Sequence, residues 1–173
     1  MPAPIVAADS ITRVGPEAAG AVVVNASHGG VYAAYLAAKL HAAAAIFNDA
    51  GVGRDRAGIG GLDYLQEFGI AAATVGHNTA RIGDGADMVA SGVITHANAP
   101  AISLGVSPGQ SCRDGGHVLL LHGPMCRDGQ RPVGSAVDLE RRRQPAAREP
   151  VALPGPELRH RPAGHLPLPE LIA

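Results

Sequence analysis

Polar side chains that can transfer protons or bind anions follow the first short apolar segment of the chain, in Asn25-Ala26-Ser27-His28-Gly29-Gly30. Ser27 has the chemistry of a nucleophile or hydrogen-bond donor, and His28 has that of a general base. Gly29 and Gly30 would let backbone N–H groups face an anion at the N-terminus of the next helix. The structural alternative, in which Ser27 only caps that helix, explains the same residues.

A carboxylate follows the second apolar segment, in the stretch Asn48-Asp49-Ala50-Gly51. Asp49 can orient a histidine, act as a base or bind a metal ion, and the alternative is an aspartate that only supports a turn. The next residues, Gly51-Val52-Gly53-Arg54, lack the third glycine of a dinucleotide-binding fingerprint. We therefore expect a carboxylate at this position and no dinucleotide site.

Two more histidines, His77 and His96, follow the third and fourth apolar segments. Between them, Arg81 and Asp84 lie three residues apart in a glycine-flanked loop. Arg81 can bind a substrate carboxylate, with Asp84 helping to position it, because a guanidinium group pairs with a carboxylate through two hydrogen bonds. The alternative is a local ion pair in which Asp84 also caps a helix.

Residue types that bind zinc or iron occur after all four apolar segments, namely His28, Asp49, His77 and His96. They contain no close-spaced pair such as His-x-x-x-His, which makes the pattern unspecific. The sequence therefore requires no cofactor, and a metal ion stays open as an alternative.

The elements that must position these residues are short strands that alternate with helices. Buried strands are predicted at residues 21–24, 43–47, 70–75 and 93–95, and helices at 31–40, 57–68, 86–90 and from Ser107 onward. This alternation predicts a three-layer α/β fold, with a mostly parallel sheet of about four to five strands and helices on both faces. Such sheets bind ligands at the carboxyl ends of their strands, where the polar residues lie.

The composition changes near residue 113 and divides the chain into a predicted α/β domain, residues 1–112, and an irregular tail, residues 113–173. The tail carries most of the Arg and Pro residues and shows no hydrophobic periodicity. Three interpretations stay open: an interaction segment, a disordered extension, or a frameshifted, non-native segment. The third is considered because Pro, Arg, Ala and Gly are what a GC-rich gene encodes when it is read out of frame.

Charge and composition restrict the classes of partner. The formal net charge is -1 and aromatic residues make up 3% of the chain, so we expect no binding to nucleic acid. The apolar stretches are too short to span a membrane, and the N-terminus lacks the basic start of a signal peptide, so a cytoplasmic protein is expected. If the chain is a truncated relative, its short core could be unstable unless it oligomerises, so a homo-oligomer is one expectation.

The stretches around Ser27, Asp49 and Asp84 together resemble a group of uncharacterised bacterial α/β proteins. The shared pattern is (Gly/Ala)-Ser-His-Gly-Gly, then Asn-Asp-Ala-Gly, then Ala-Arg-Ile-Gly-Asp-Gly, and the resemblance covers residues 9–112. This chain has Ala26 where those proteins often have glycine. The resemblance implies no activity and no catalytic assignment, and it ends where the composition changes.

These residues together predict an enzyme that acts on a small anionic metabolite by acid–base or hydrolytic chemistry, as a hydrolase, lyase or isomerase. The expected catalytic residues are Ser27, His28, Asp49 and His77. The expected substrate-binding residues are Asn25, Gly29, Gly30, Asn48, Arg81, Asp84 and His96. The alternatives are a non-catalytic domain that binds a phosphate, a nucleotide or another small ligand, and an inactive, truncated relative.

Overall fold

The computed structural model describes residues 5–122 and contains a five-stranded sheet with its strands in chain order. The strands are β1 Ile5–Ala8, β2 Val22–His28, β3 Ala44–Asn48, β4 Ala71–Val75 and β5 Ile94–Ala97. Strands β1 to β4 are parallel, and β5 runs antiparallel to β4. The predicted α/β fold with a mostly parallel sheet is confirmed.

The α-helices of the described residues cover both faces of the sheet. They are α1 Val31–Lys39, α2 Gly60–Gln66, α3 Gly85–Ser91, α4 Ala99–Ser103 and α5 Cys112–His122. Helices α1 and α2 pack on one face, in a core that contains Phe47 and Leu65. Helices α3, α4 and α5 pack on the other face, in a core that contains Ile46, Met88 and Leu119. None of the helices described is long and apolar enough to cross a lipid bilayer.

Small residues bring α1 and α2 close to each other and to the sheet. Ala34 and Ala37 of α1 are buried, and a Cβ atom added to Gly61 of α2 would lie 2.8 Å from the Cβ atom of Ala34. The Gly61 N–H donates to the Gly29 carbonyl at 2.8 Å, which ties the start of α2 to the loop after β2. Close backbone packing therefore fixes the loops at the carboxyl edge of the sheet.

Two features of the sheet differ from the sequence-based expectation. The pattern does not predict β1, because this edge strand is short and half exposed. The pattern also implies that the strand containing His96 is parallel to the others, whereas β5 is antiparallel. A helix joins β4 to β5 just as in a parallel crossover, so the local pattern gives no sign of the reversal. Residues after β5 consequently reach the opposite edge of the sheet.

The helix predicted from Ser107 is wrong, because Ser107-Pro108-Gly109-Gln110 forms a turn. The Gln110 N–H donates to the Ser107 carbonyl at 3.3 Å, and Gly109 has a φ of +92°. Pro followed by a glycine with positive φ at the centre of a turn is typical of type II. The helix that follows begins at Cys112 instead.

Helix α5 extends past the compositional boundary at residue 113. Its buried residues recur at helical spacing: Cys112, Gly115, Gly116 and Leu119. Glycine supplies two of these positions, so a search for apolar periodicity does not find the helix. The three interpretations of the tail otherwise concern residues 123–173, which lie outside the described residues.

The segment of residues 76–85, named here the edge strap, crosses the carboxyl edge of the sheet from β4 to β1. It contacts the ends of the intervening strands in turn. Its hydrogen bonds join the Ala80 carbonyl to Asn48 Nδ2 at 3.0 Å, the Gly83 N–H to the Ala26 carbonyl at 3.0 Å, and the Gly85 N–H to the Asp9 carboxylate at 3.1 Å.

Candidate functional site

The loops after β3 and β4 separate at the carboxyl edge of the sheet. The loop after β3 leads to α2 on one face, and the loop after β4 leads to α3 on the other face. In open α/β sheets, neighbouring strands whose connections leave toward opposite faces form a crevice between their loops, and ligands bind there. Asp49 begins one of these loops and His77 lies in the other, so both residues stand at this crevice.

The Asp49 carboxylate binds His77 directly. Its Oδ1 atom lies 3.0 Å from His77 Nδ1, and it also accepts hydrogen bonds from the backbone N–H groups of His77 at 3.0 Å and Gly51 at 2.9 Å. Its Oδ2 atom accepts from the Thr95 hydroxyl at 3.0 Å. The Asp49 side chain is 7% exposed, so protein donors take the place of water on both oxygens.

These hydrogen bonds keep Asp49 ionised. Burial alone would raise the pKa of this carboxyl, but the hydrogen bonds from Gly51, His77 and Thr95 together outweigh burial and lower the pKa below its ordinary value. Since an ionised carboxylate cannot donate, the hydrogen between the two side chains belongs to His77 Nδ1. The neutral His77 ring therefore has its lone pair on Nε2.

The His77 ring is held by Asp49 through Nδ1 and is itself partly exposed. Its side chain is 43% exposed, although the carboxylate that holds it is buried. The ring lies against Gly51, where an added Cβ atom would be 3.3 Å from His77 Cε1. A buried carboxylate that orients a partly exposed imidazole through Nδ1 is the arrangement of a general base.

Thr95 is a site residue that sequence reasoning missed. A register shift between Thr74 and Val75 interrupts the pairing of β4 with β5. The Thr95 hydroxyl reaches Asp49, and His96 Nδ1 lies 3.1 Å from the same hydroxyl. Such irregularities re-aim side chains near functional sites. A single threonine inside a strand carries no signal in the sequence, so its role emerges only from the fold.

The loop that carries Asp49 holds left-handed backbone at residues other than glycine. Ala50 has a φ of +49° and Val52 a φ of +67°. This conformation costs an L-residue about 1–2 kcal/mol. The loop is held in place partly by Asp49 itself, whose backbone carbonyl accepts from the Val52 N–H at 2.7 Å. Imposed strain of this kind concentrates at functional sites.

Ser27 and His28 do not join this hydrogen-bond network. The Ser27 hydroxyl accepts from the Ile11 N–H at 3.0 Å and lies 3.5 Å from the Ser10 hydroxyl, so it holds the turn after β1. Ser27 also does not cap α1, whose N-cap is Gly30. His28 is exposed, and an added Cβ atom on Gly30 would lie 2.8 Å from His28 Nε2. Ser27 therefore supports the fold, and His28 lies over the start of α1.

The other candidate residues after β2 and β3 form hydrogen bonds with backbone groups. Asn25 is buried and donates to the Ile46 carbonyl at 3.3 Å, and Asn48 donates to the Ala80 carbonyl at 3.0 Å. The Gly29 N–H donates to the Asn48 carbonyl at 2.8 Å, so this amide is not available to an anion. These residues shape the edge of the sheet.

Arg81 and Asp84 belong to the edge strap and the start of α3. The Asp84 side chain accepts from the Asp87 N–H at 2.9 Å, so Asp84 caps α3 as the structural alternative expected, but the described residues show no ion pair between Arg81 and Asp84. The Arg81 side chain is exposed, and its backbone N–H donates to the Asp87 carboxylate at 2.9 Å. That bond is the main cause of a lowered pKa at Asp87, with further contributions from Ser91 and the Arg81 charge.

His96 lies within β5, whereas its neighbour Asn98 follows the end of that strand. Asn98 caps α4 and accepts from the Ala72 N–H at 2.9 Å, which places it at the amino edge of β4. His96 pairs with Thr74 and lines a cavity between α2 and β5. The antiparallel direction of β5 therefore separates Asn98 from the carboxyl edge and keeps His96 beside the Thr95 hydroxyl.

The metal alternative finds no ligand set in the part of the chain that the structure describes: no three His, Cys, Asp or Glu side chains there are grouped to hold an ion. Cys112 is buried, which raises the pKa of its thiol to about 12. A thiol of this kind is a core residue and not a nucleophile at neutral pH.

The structure brings Asp49 and His77 together and leaves Ser27 and His28 outside their network. The chain matches no protein-family model, and no curated protein or solved structure is detectably similar to it. Its function is therefore inferred from the chemistry of the site.

Proposed function

We propose that the protein is an enzyme that uses His77 as a general acid–base group on a small anionic metabolite, in a hydrolytic, elimination or isomerisation reaction. The main support is the buried Asp49 carboxylate, which hydrogen-bonds to Nδ1 of a partly exposed histidine. The carboxylate of the pair is buried, but the His77 side chain is 43% exposed, so the ring can reach solvent or a ligand.

The pair can move a proton in both directions during a reaction cycle. His77 Nε2 would take a proton from water or from a carbon acid, and the Asp49 charge would stabilise the imidazolium that forms. Nε2 would then return the proton to the leaving group or the product. Because the Ser27 hydroxyl is engaged with the Ile11 backbone, water is the proposed nucleophile for hydrolysis.

Positive groups near the same edge favour an anionic substrate. Arg54 and Arg56 lie in the loop that follows β3, and their contacts with Asp55 and Asp63 are exposed and long, at 3.5 and 3.8 Å. Such surface pairs contribute little, so a ligand can compete for either guanidinium group. Helix α1 begins without a side-chain cap, and its first N–H groups also favour an anion.

The activity of the full chain toward a panel of small esters, hydroxy acids and phosphate compounds tests this proposal. We expect His77→Gln to lose about 10²–10⁴-fold in kcat/KM, the range that general acid–base catalysis contributes. Asp49→Asn should reduce activity in the same direction. His41→Gln is the matched control, since His41 is exposed and precedes β3 at the other edge of the sheet.

Full activity of the His77→Gln variant would rule out the proposed role of His77. If panel compounds raise the melting temperature and none is turned over, the protein is a non-catalytic binding domain instead. The uncapped N-terminus of α1 is the observation that favours this second function.

A further inference from the structure

A cavity of about 400 Å³ opens between α2 and β5. Its wall combines apolar side chains from Leu62 and Ile102 with polar side chains from Gln66, Thr95 and His96. The volume falls in the lower part of the range for small-molecule sites, which typically have apolar walls and a few placed polar groups. The cavity therefore suits a small ligand with a short apolar part and a polar end.

Thr95 connects this cavity to the proposed catalytic pair. Its hydroxyl donates to Asp49 Oδ2 at 3.0 Å, and the alternative acceptor, the Thr74 carbonyl, is farther away at 3.3 Å. The Thr95 hydroxyl has only one hydrogen, so its oxygen is left to accept, and its nearest remaining neighbour is His96 Nδ1 at 3.1 Å. The Thr74 hydroxyl is farther away, at 3.3 Å from the Thr95 oxygen and 3.4 Å from His96 Nδ1. In the arrangement that uses the shortest of these contacts, His96 Nδ1 carries the hydrogen and His96 Nε2 can accept a hydrogen bond from a ligand.

Donors for a ligand come from Gln66 and Arg56. Gln66 Oε1 accepts from the Ala99 N–H at 2.9 Å, which leaves the Gln66 NH2 group to donate into the cavity. The Arg56 guanidinium lies 3.8 Å from the Asp63 carboxylate, and both side chains are more than half exposed. An exposed pair at this distance is weak, so a ligand carboxylate can compete with Asp63 for the arginine.

We propose that this cavity binds a small α-hydroxy acid with a short apolar chain. The carboxylate would bind Arg56 and the Gln66 amide, and the hydroxyl would donate to His96 Nε2. The apolar chain would pack on Leu62 and Ile102. This inference goes beyond the proposed function, because His77 is not among the residues that line the cavity. The ligand would bind beside the catalytic pair and would be connected to it only through Thr95.

Histidine ring signals of the full chain, followed by NMR, can report binding of probes that differ by a single group. The probes are α-hydroxyisocaproate, isocaproate without the hydroxyl, and α-hydroxyisocaproamide without the charge. We expect the hydroxy acid to bind at least about tenfold more tightly than either of the others, because each loses one polar contact.

Variants of the cavity wall separate the two polar contacts. His96→Gln should abolish the preference for the hydroxyl and keep the preference for the charge, and Arg56→Gln should do the reverse. Arg13→Gln, which removes an exposed arginine outside the cavity wall, should change neither preference. Asp63→Asn should tighten binding of the hydroxy acid, because it removes the anion that competes for Arg56.

Thr95 variants test the connection to His77. Because the Thr95 hydroxyl contacts both Asp49 and His96, binding should shift the His77 ring signals in the wild type and in Thr95→Ser. Thr95→Val lacks the hydroxyl, so the shift at His77 should disappear while the shift at His96 stays.

Equal affinity for all probes would overturn the inference, and so would a loss of both preferences in the Arg13→Gln control. The proposed function fails by a different result. It is excluded if His77→Gln retains turnover, whatever binds in the cavity. The binding data decide the inference even when His77 proves essential for activity.

Discussion

At the scale of the residue, the Asp49 side chain accepts hydrogen bonds from several elements at the carboxyl edge of the sheet. Its donors come from the loop after β3, the loop after β4 and strand β5. A carboxylate satisfied by protein donors on both oxygens stays charged without water or a mobile cation. The ionisation of Asp49 therefore links the orientation of His77 to the stability of the fold.

Asp49→Asn is expected to destabilise the fold at neutral pH by about 1–3 kcal/mol, because an amide NH2 would face groups that donate. The pKa of Asp49 is lowered, so its charge stabilises the folded state above the ordinary aspartate pKa. That contribution is lost as the pH falls through the lowered folded-state value. Urea unfolding between about pH 7 and pH 3 should show a difference between wild type and variant that shrinks toward acid.

Asp55→Asn is the control for this measurement, since the Asp55 side chain is 87% exposed. Its effect on the free energy of unfolding should be small at every pH. A difference between wild type and Asp49→Asn that stays constant across the range would contradict the expected linkage.

The sequence could predict that Asp49 and His77 lie near each other, because residues that follow parallel strands lie at the same edge of the sheet. Ser27 could not be excluded in this way. Its direction depends on the turn after β1, and the pattern does not show β1. The role of Thr95 could not be predicted from the sequence, because its contact with Asp49 depends on a local register shift between β4 and β5.

At the scale of the element, the loop between β3 and α2 holds strained backbone beside the site. Ala50 has a φ of +49°, whereas Ala57 in the same loop has a right-handed φ of -57°. Ala50→Gly should stabilise the protein by about 0.5–1 kcal/mol, since the relief of strain exceeds the entropy gained by the unfolded chain. Chemical denaturation of the full chain measures this change.

The matched control for that change is Ala57→Gly. Glycine gives no relief in a right-handed conformation, so this variant should be destabilised by about 0.5–1 kcal/mol. Changes of the same sign in the two variants would show that the left-handed conformation of Ala50 is not strained.

The same loop explains why the sequence pattern predicts an earlier start for α2, at residue 57, than the structure shows. Residues 57–59 continue the helical spacing in the sequence, but left-handed residues and the short turn Arg54–Arg56 occupy the preceding segment, and α2 begins at Gly60. The reversal of β5 was unpredictable for a different reason. Helix α3 packs over β1 and β2, so a long-range contact and not the β4–β5 connection decides where the chain returns.

At the scale of the whole molecule, α5 completes the second face of the sheet. Leu119 is 1% exposed and packs in the core with Met88 and Ile94, whereas Leu121 is 73% exposed. Leu119→Ala should destabilise the protein by about 2–5 kcal/mol, because it leaves a cavity in that core. Leu121→Ala should change the free energy of unfolding by less than about 0.5 kcal/mol.

Urea unfolding of the full chain compares the two leucine variants. Equal, small effects would show that α5 does not belong to the folded unit.

Helix α5 is not recognisable from the composition, because glycines make several of its contacts. Added Cβ atoms at Gly115 and Gly116 would lie 3.4 Å from Ile94 and 3.5 Å from Ile5. Close approach of the backbone supplies packing there without a hydrophobic signal in the sequence.

The edge strap also sets an order of events while the chain is being synthesised. It joins Gly85 to Asp9 across 76 residues of sequence. The ribosome releases β1, β2 and β3 well before that segment, so these strands can pair while their carboxyl edge is uncovered. During this interval Asp49 has neither His77 nor Thr95 to bind. Asp49 therefore gains its full set of donors only after Thr95 has emerged, and the site is completed by the last strand of the sheet.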